Sequence, residues 1–247
     1  MQVIPIRIST DIRLYDNLID RIIEATDNSH IEIQNGDILV ITHKIVSKAE
    51  GRIVDLGTIK PSTRAIRMAE EHDKDPRIME LILKESTQIL RAKNGVIISE
   101  TKHGFVCANA GVDQSNVEGD KAILLPVAPD EAASGLQNEI KKKVGKEIAV
   151  IITDTFGRTF RNGQTNVAIG IAGINPIKSY IGTYDMYGKK LRVTEIAVAD
   201  EIASAAELVM GKAEGTPVAI IRGYDFEKTA ASSIKSLLRT RERDIFR

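Results

Sequence analysis

The stretch Glu147–Gly170, EIAVIITDTFGRTFRNGQTNVAIG, constrains the fold more than any other part of the chain. Its apolar run Ile148–Ile152 has strand length and no polar alternation, which predicts a strand buried on both faces. The run stops at Thr153-Asp154-Thr155, followed closely by Gly157, Arg158, Arg161 and Gly163. Hard oxygen ligands such as a carboxylate and a hydroxyl suit Mg2+ or Mn2+. Guanidinium groups suit phosphate oxygens or carboxylates. Together these residues suggest metal-assisted phosphate chemistry. An alternative stays open, in which Asp154 caps the following segment through its backbone.

The 247 residues are enough for one large domain or two small ones, and 43% of them are apolar. With no Trp and 4% aromatic residues, the core must be built from Ile, Val, Leu and Ala. Lys+Arg and Asp+Glu are both 34, which argues against a nucleic-acid protein held by bulk charge. The one cysteine, Cys107, excludes an internal disulfide and a thiolate zinc cage, and reads as a buried small hydrophobe. The start, MQVIPIRIST, lacks the apolar core of a signal peptide, and no run reaches membrane-span length. A soluble cytoplasmic protein with no membrane or nucleic-acid partner is expected.

Helical spacing predicts a helix over Leu14–Ala25, and Lys60-Pro61-Ser62 and Pro76 open two more, to about Glu71 and Ser86. Asn35-Gly36-Asp37 is a turn before the strand Ile38–Ile41, and Lys102-His103-Gly104 is the turn of a hairpin. Ala122–Val127, Leu191–Ile196 and Pro217–Ile221 read as strands, and Val167–Ile174 as a Gly-punctuated apolar run. Asp130 is expected to cap a helix ending near Gly145, Val198–Met210 is a helix closed by Gly211, and Thr229 to the C-terminus reads as helical. Strands and helices mix without a βαβ beat, so the fold class is α+β, with mixed sheets and two lobes over one catalytic unit, residues 1–247.

Neither a Walker loop nor a G-x-G-x-x-G fingerprint is present, so any nucleotide is held another way. Asn109–Asn116 offers Asp113 as a second metal ligand and Asn116 for a base or sugar, or is ordinary turn chemistry. His43, Lys44 and Lys48, with Arg52 beyond, follow a strand and could receive phosphates, or form a solvated face. The loop Gly211, Lys212, Ala213, Glu214, Gly215, Thr216 lets backbone approach a ligand, or is a plain glycine cap. The four histidines have no ligand spacing.

Four segments then form an ordered pattern: Val46–Arg52, Asn109–Asn116, Ile151–Arg158 and Ala199–Ala203. Together they resemble the coenzyme F420-0:L-glutamate (γ-glutamyl) ligase family, over essentially the whole chain. The resemblance implies a homodimer with an unusual α+β fold. It implies a ligase that joins L-glutamate to coenzyme F420-0 with GTP, forming GDP and phosphate, and that can add a second glutamate by a γ-linkage. It implies two divalent ions, Mg2+ or Mn2+, with K+ as a further candidate ion. Carried over residue by residue, Asp113 and Asp154 would ligate one ion and Thr155 a second. Asn116, His43, Lys44, Lys48 and the Gly211–Thr216 loop would hold the nucleotide. Lys48, Arg158 and Arg161 are the candidates for fixed positive charge in catalysis. Where the family's N-terminal nucleotide loop reads Gly-Leu/Ile-Pro, this chain has Ile8-Ser9-Thr10. No fused flavin domain is expected. Two rivals follow from the residues alone: a metal-dependent phosphohydrolase, whose second carboxylate is missing because position 156 is Phe, and a non-catalytic nucleotide- or deazaflavin-binding protein.

Overall fold

The computed structural model describes residues 1–245. In chain order the elements are β1 (Gln2–Ile6), α1 (Leu18–Asn28), β2 (Ile38–Thr42), α2 (His43–Ala49), β3 (Ile53–Asp55), α3 (Thr63–His72), α4 (Pro76–Glu85), β4 (Ser86–Lys93) and β5 (Val96–Thr101). They continue with β6 (Val106–Ala108), β7 (Lys121–Ile123), α5 (Pro129–Val144), β8 (Ala149–Arg158), β9 (Arg161–Ala172), β10 (Lys178–Ser179), β11 (Glu195–Ile196), α6 (Val198–Met210) and β12 (Val218–Arg222). The main sheet has the order β1-β12-β2-β8-β9 and is mixed: β2 and β8 run parallel, and the other pairs antiparallel. A three-stranded antiparallel sheet, β4-β5-β6, and two small ladders complete an α+β architecture.

The apolar runs explain the sheet. Ala149 to Ile152 are all fully buried, as are most residues of β2 and β12, so the three central strands are covered on both faces. Each isoleucine so buried contributes about 1.5–3 kcal/mol. Helix α5 packs on β8 and β9, and α6 on β9, β1 and β12. Gly170 lets α5 come this close: a Cβ there would lie 2.5 Å from the Pro129 carbonyl oxygen. A second apolar cluster, including Leu56, Met79, Ile82, Ile97 and Ala122, gathers α3, α4, β5 and β7.

Several expectations need correcting. Helix α1 begins at Leu18, because the Asn17 side chain accepts from Asp20 N at 3.0 Å and caps it there; Tyr15 has a positive φ and Leu14 is exposed. The strand of the opening stretch does not stop at Thr153. It shifts register after Ile152 and continues to Arg158, so Asp154 stays in the ladder opposite Val167 and caps no following segment. Ala128, not Asp130, is the N-cap residue of α5. The Asp130 carboxylate instead accepts from Ile171 N, Ile234 N and Ser233 Oγ at 3.0–3.2 Å, fastening the C-terminal segment to the sheet. That segment holds short 3-10 turns, Ile234–Leu237 and Arg241–Arg243, rather than a helix; the last two positions of the expected helix lie outside the described residues. The strands expected at 122–127 and 191–196 shrink to β7 and β11; past Ile123 the Leu124 N–H still reaches the Arg52 carbonyl at 3.0 Å, and Leu124 and Leu125 are then buried by packing.

Asp200, in the first turn of α6, accepts from Ala168 N at 2.9 Å. Burial pushes its carboxyl above the usual value, and the Ala168 N–H offsets only part of this. A folded-state pKa above the unfolded one means that native protonation is favoured. The resulting cost to folding is absent below the ordinary value of 3.8 and grows as pH rises through the folded-state value. Asp200→Asn keeps an acceptor without the charge. It is expected to raise Tm near pH 7 and to give no gain below pH 3.8, checked by thermal melts across pH.

Candidate functional site

Parallel pairing of β2 with β8 sets Thr42 opposite Thr153, so the chain leaves both strands side by side. From β2 it turns at once into α2, bringing His43, Lys44 and Lys48; on β8 the next residues are Asp154 and Thr155. Around these lies a cleft of about 810 Å³, by far the larger of the two described.

Its opposite wall is the loop after β6. Asn109, Ala110 and Gly111 all have positive φ, a tight left-handed turn that delivers Asp113. Backbone bonds in both directions between Asp113 and Ile123, at 3.1 and 2.8 Å, fix it there. A Cβ on Gly111 would meet Leu125 at 2.6 Å, so this turn needs glycine on steric as well as conformational grounds. The Asp113 carboxylate accepts from Lys44 Nζ at 2.6 Å and from Ser115 N and Oγ at 2.8 Å. Burial alone would push its pKa up; the Lys44 ammonium and the Ser115 N–H hold it below the usual carboxylate range.

The third wall is the loop between α6 and β12. Gly211 ends the helix with φ 60°, and Lys212 Nζ donates to Thr155 Oγ1 at 2.6 Å. Thr155 Oγ1 in turn donates to the buried Asn166 Oδ1 at 2.7 Å. Asn116 Nδ2 donates to the Lys212 carbonyl at 3.4 Å, tying this wall to the Asp113 loop. Glu214 folds away from the cleft lining to accept from Ala213 N at 2.8 Å.

The structure thus brings Lys44, Lys48, Asp113, Asn116, Asp154, Thr155, Gly211, Lys212, Ala213, Gly215 and Thr216 to one cleft. His43 lies beneath it, 1% exposed, with Nε2 3.2 Å from Asp154 Oδ1. Arg158 and Arg161 sit outside the lining at the exposed tip of the β8–β9 hairpin, where Arg158 donates to the Asn162 and Gly163 carbonyls. Two residues were missed by sequence reasoning: Asp11, which binds Lys48 Nζ at 2.6 Å, and Asn166, which lines the cleft together with Asn109. Asn166 is the last residue of the polar run that opens β9 and is buried only by packing, and Asp11 carried no local signal either. Cys107 also lines the cleft, but burial and the nearby Asp154 charge push its thiol up to about 12, which leaves it inert as a nucleophile.

Fold and cleft define the class: an α+β protein in which carboxylate, hydroxyl, amide and ammonium groups from strand β8, helix α2 and two loops meet around one cleft. A family model described as F420-0:Gamma-glutamyl ligase matches residues 6–223, and the chain belongs to that family. It is similar to the coenzyme F420:L-glutamate ligase of Methanothermobacter thermautotrophicus, at 49% identity over 94% of this chain and 93% of the relative. It is also similar to the proteins of that name from Methanocaldococcus jannaschii, at 46% over 87% and 86%, and Methanopyrus kandleri, at 42% over 100% and 98%.

Proposed function

We propose that the chain is a GTP-dependent ligase that joins L-glutamate to coenzyme F420-0 in coenzyme F420 biosynthesis and can add a second, γ-linked glutamate. The observation that carries this reading, beside the family, is the convergence of Asp113, Asp154 and Thr155 with Lys44, Lys48 and the Gly211–Thr216 loop at one cleft.

A carboxylate does not condense with an amine in water at a useful rate, because hydroxide is a poor leaving group. The γ-phosphoryl group of GTP therefore passes to the F420-0 carboxylate, giving an acyl phosphate and GDP. The glutamate amine attacks the acyl carbon, loses its proton and displaces inorganic phosphate. Two divalent ions, Mg2+ or Mn2+, would neutralise the phosphate oxygens during transfer. The donor types fit such ions: Asp113 and Asp154 offer carboxylate oxygens and Thr155 a hydroxyl, and the Lys44 and Lys212 ammonium groups that meet Asp113 and Thr155 here would give way to them. The two carboxylates and one hydroxyl then leave coordination to water and phosphate, the usual pattern for Mg2+. Lys44, Lys48 and Lys212 supply fixed positive charge to the nucleotide phosphates, and Asn116 and the glycine loop hold the nucleoside. Arg158 and Arg161, on the hairpin beyond the lining, are assigned to the acidic F420-0 or glutamate. K+ is included as an accompanying ion.

The test is mass spectrometry of F420-0 incubated with the protein, glutamate, GTP and Mn2+ or Mg2+, with and without K+. A glutamyl mass increment is expected, and its multiple gives the chain length. GDP release that requires neither glutamate nor F420-0 would point to a hydrolase instead.

We also assign the protein a homodimeric state. The excursion between β10 and β11 exposes Ile181, Tyr184, Met186, Tyr187 and Val193, each at least half accessible, which is more apolar surface than a monomer usually leaves in one loop. The triple change Tyr184→Ser, Met186→Ser, Tyr187→Ser is expected to weaken self-association by about 100-fold or more in analytical ultracentrifugation.

A further inference from the structure

We infer that His43 is a positioning residue that aims the Asp154 carboxylate into the cleft, rather than a side chain that touches the nucleotide. This rests on the metal role proposed above for Asp154. The imidazole is 1% exposed and outside the cleft lining, so its ring has no open path to a ligand. Its Nε2 lies 3.2 Å from Asp154 Oδ1, and its Nδ1 lies 3.4 Å from Oγ of the fully buried Ser47, one helical turn on. The Ser47 hydroxyl on one ring nitrogen and the carboxylate near the other hold the imidazole plane toward Asp154.

Asp154 Oδ1 is held from a second side by Thr155 N at 2.7 Å. Among the described residues no hydrogen-bond donor reaches Oδ2. One oxygen is thus bonded by the Thr155 N–H with the imidazole 3.2 Å away, while the other stays available, on a side chain that is 14% exposed at the cleft wall. Such an arrangement orients a carboxylate for one cation: the anchored oxygen sets the plane, and the other presents its lone pairs outward. Outer partners that orient metal ligands in this way typically carry a 10–100-fold share of metal affinity. The strand register supplies the pairing, since His43 and Asp154 directly follow the matched residues Thr42 and Thr153.

The experiment is a Mn2+ titration by electron paramagnetic resonance in the presence of a non-hydrolysable GTP analogue. It is paired with binding of that analogue in EDTA and with melting temperatures. His43→Leu is expected to weaken Mn2+ by about 10–100-fold. His43→Gln, which returns an N–H donor at similar reach, is expected to recover most of that. In an Asp154→Asn background the leucine change should cost no further Mn2+ affinity, and analogue binding in EDTA should be unmoved in every His43 variant. Unchanged Mn2+ affinity in H43L overturns the inference, as does a glutamine variant as weak as the leucine one. An additive loss in the Asp154→Asn background also overturns it, and so does a loss of analogue binding in EDTA, which would make His43 a nucleotide contact. If H43L does not fold, Ser47→Ala carries the test: weaker Mn2+ binding supports the inference and unchanged binding overturns it. Wild-type protein that binds no Mn2+ overturns the metal role as well. Wild-type binding with an unaffected H43L overturns this inference alone.

Discussion

Asp154→Asn is expected to slow glutamate addition by about a thousandfold while the protein stays folded. The charge is the point of the substitution. Asparagine keeps the size and one oxygen acceptor, so the hydrogen bond from Thr155 N and the 3.2 Å contact of His43 Nε2 with the same atom survive. What is lost is the anion at the outward oxygen, which should hold a divalent ion against the nucleotide phosphates. Charge stabilisation by a bound ion is worth several kcal/mol in phosphoryl transfer, and about 4 kcal/mol corresponds to a thousandfold in rate. Rates measured over a Mn2+ series, with circular dichroism as the control for folding, decide it. Full activity in a folded Asp154→Asn protein removes Asp154 from the metal site.

Arg222→Ala is expected to destabilise the protein by about 3–5 kcal/mol, because it strands a buried carboxylate. Asp37 is 3% exposed and stands at the foot of β2. Arg222, at the end of β12, donates Nε to Oδ1 at 2.9 Å and Nη2 to Oδ2 at 2.7 Å, a two-point grip on both oxygens. The Gln34 N–H adds a third bond at 2.9 Å and closes the turn that opens β2. Removing the arginine takes the compensating charge and leaves the anion without water. For a chain of this length the loss corresponds to a fall in Tm of about 10 °C. The double variant Asp37→Asn with Arg222→Ala should lose less than Arg222→Ala alone, because no uncompensated charge remains. Urea unfolding of the three variants measures the difference. A double variant as unstable as the single one would place the effect in lost packing of the arginine stem.

The main sheet was readable in advance because its central strands are continuous apolar runs, and helices α3 and α4 announced themselves through Ser62 and Pro76 at their starts. The sequence signal failed where tertiary contacts decide. Asp130 has the residue type of a cap and the position of one, yet its carboxylate is claimed by Ile171 N, Ser233 and Ile234 from distant segments. Asp154 looked like a strand end because apolarity stops at Thr153, but the backbone ladder with β9 runs on under polar side chains. In the cleft, chemical type singled out Asp154 with Thr155 and, separately, Asp113 as candidate ligands, and the ordered family motifs joined them into one expected site. Their meeting depends on a loop forty residues earlier, and no local pattern encodes that. The burial of His43 was illegible for a related reason: a histidine after a strand looks exposed in one dimension, while the structure leaves it 1% exposed beneath the cleft lining.

The parallel pairing of β2 with β8 has an evolutionary corollary. Two chain segments more than a hundred positions apart work as the jaws of one caliper, and the gauge between them is the ladder from Ile38 opposite Ala149 to Thr42 opposite Thr153. A one-residue insertion in either jaw would move its side chains to the opposite face and carry histidine and carboxylate apart. Lengthening elsewhere leaves the gauge untouched. In a library of single-residue insertions, viable members should therefore gather in exposed turns such as the β4–β5 turn at 93–95 and be absent from 38–48 and 149–155, whatever residue is inserted.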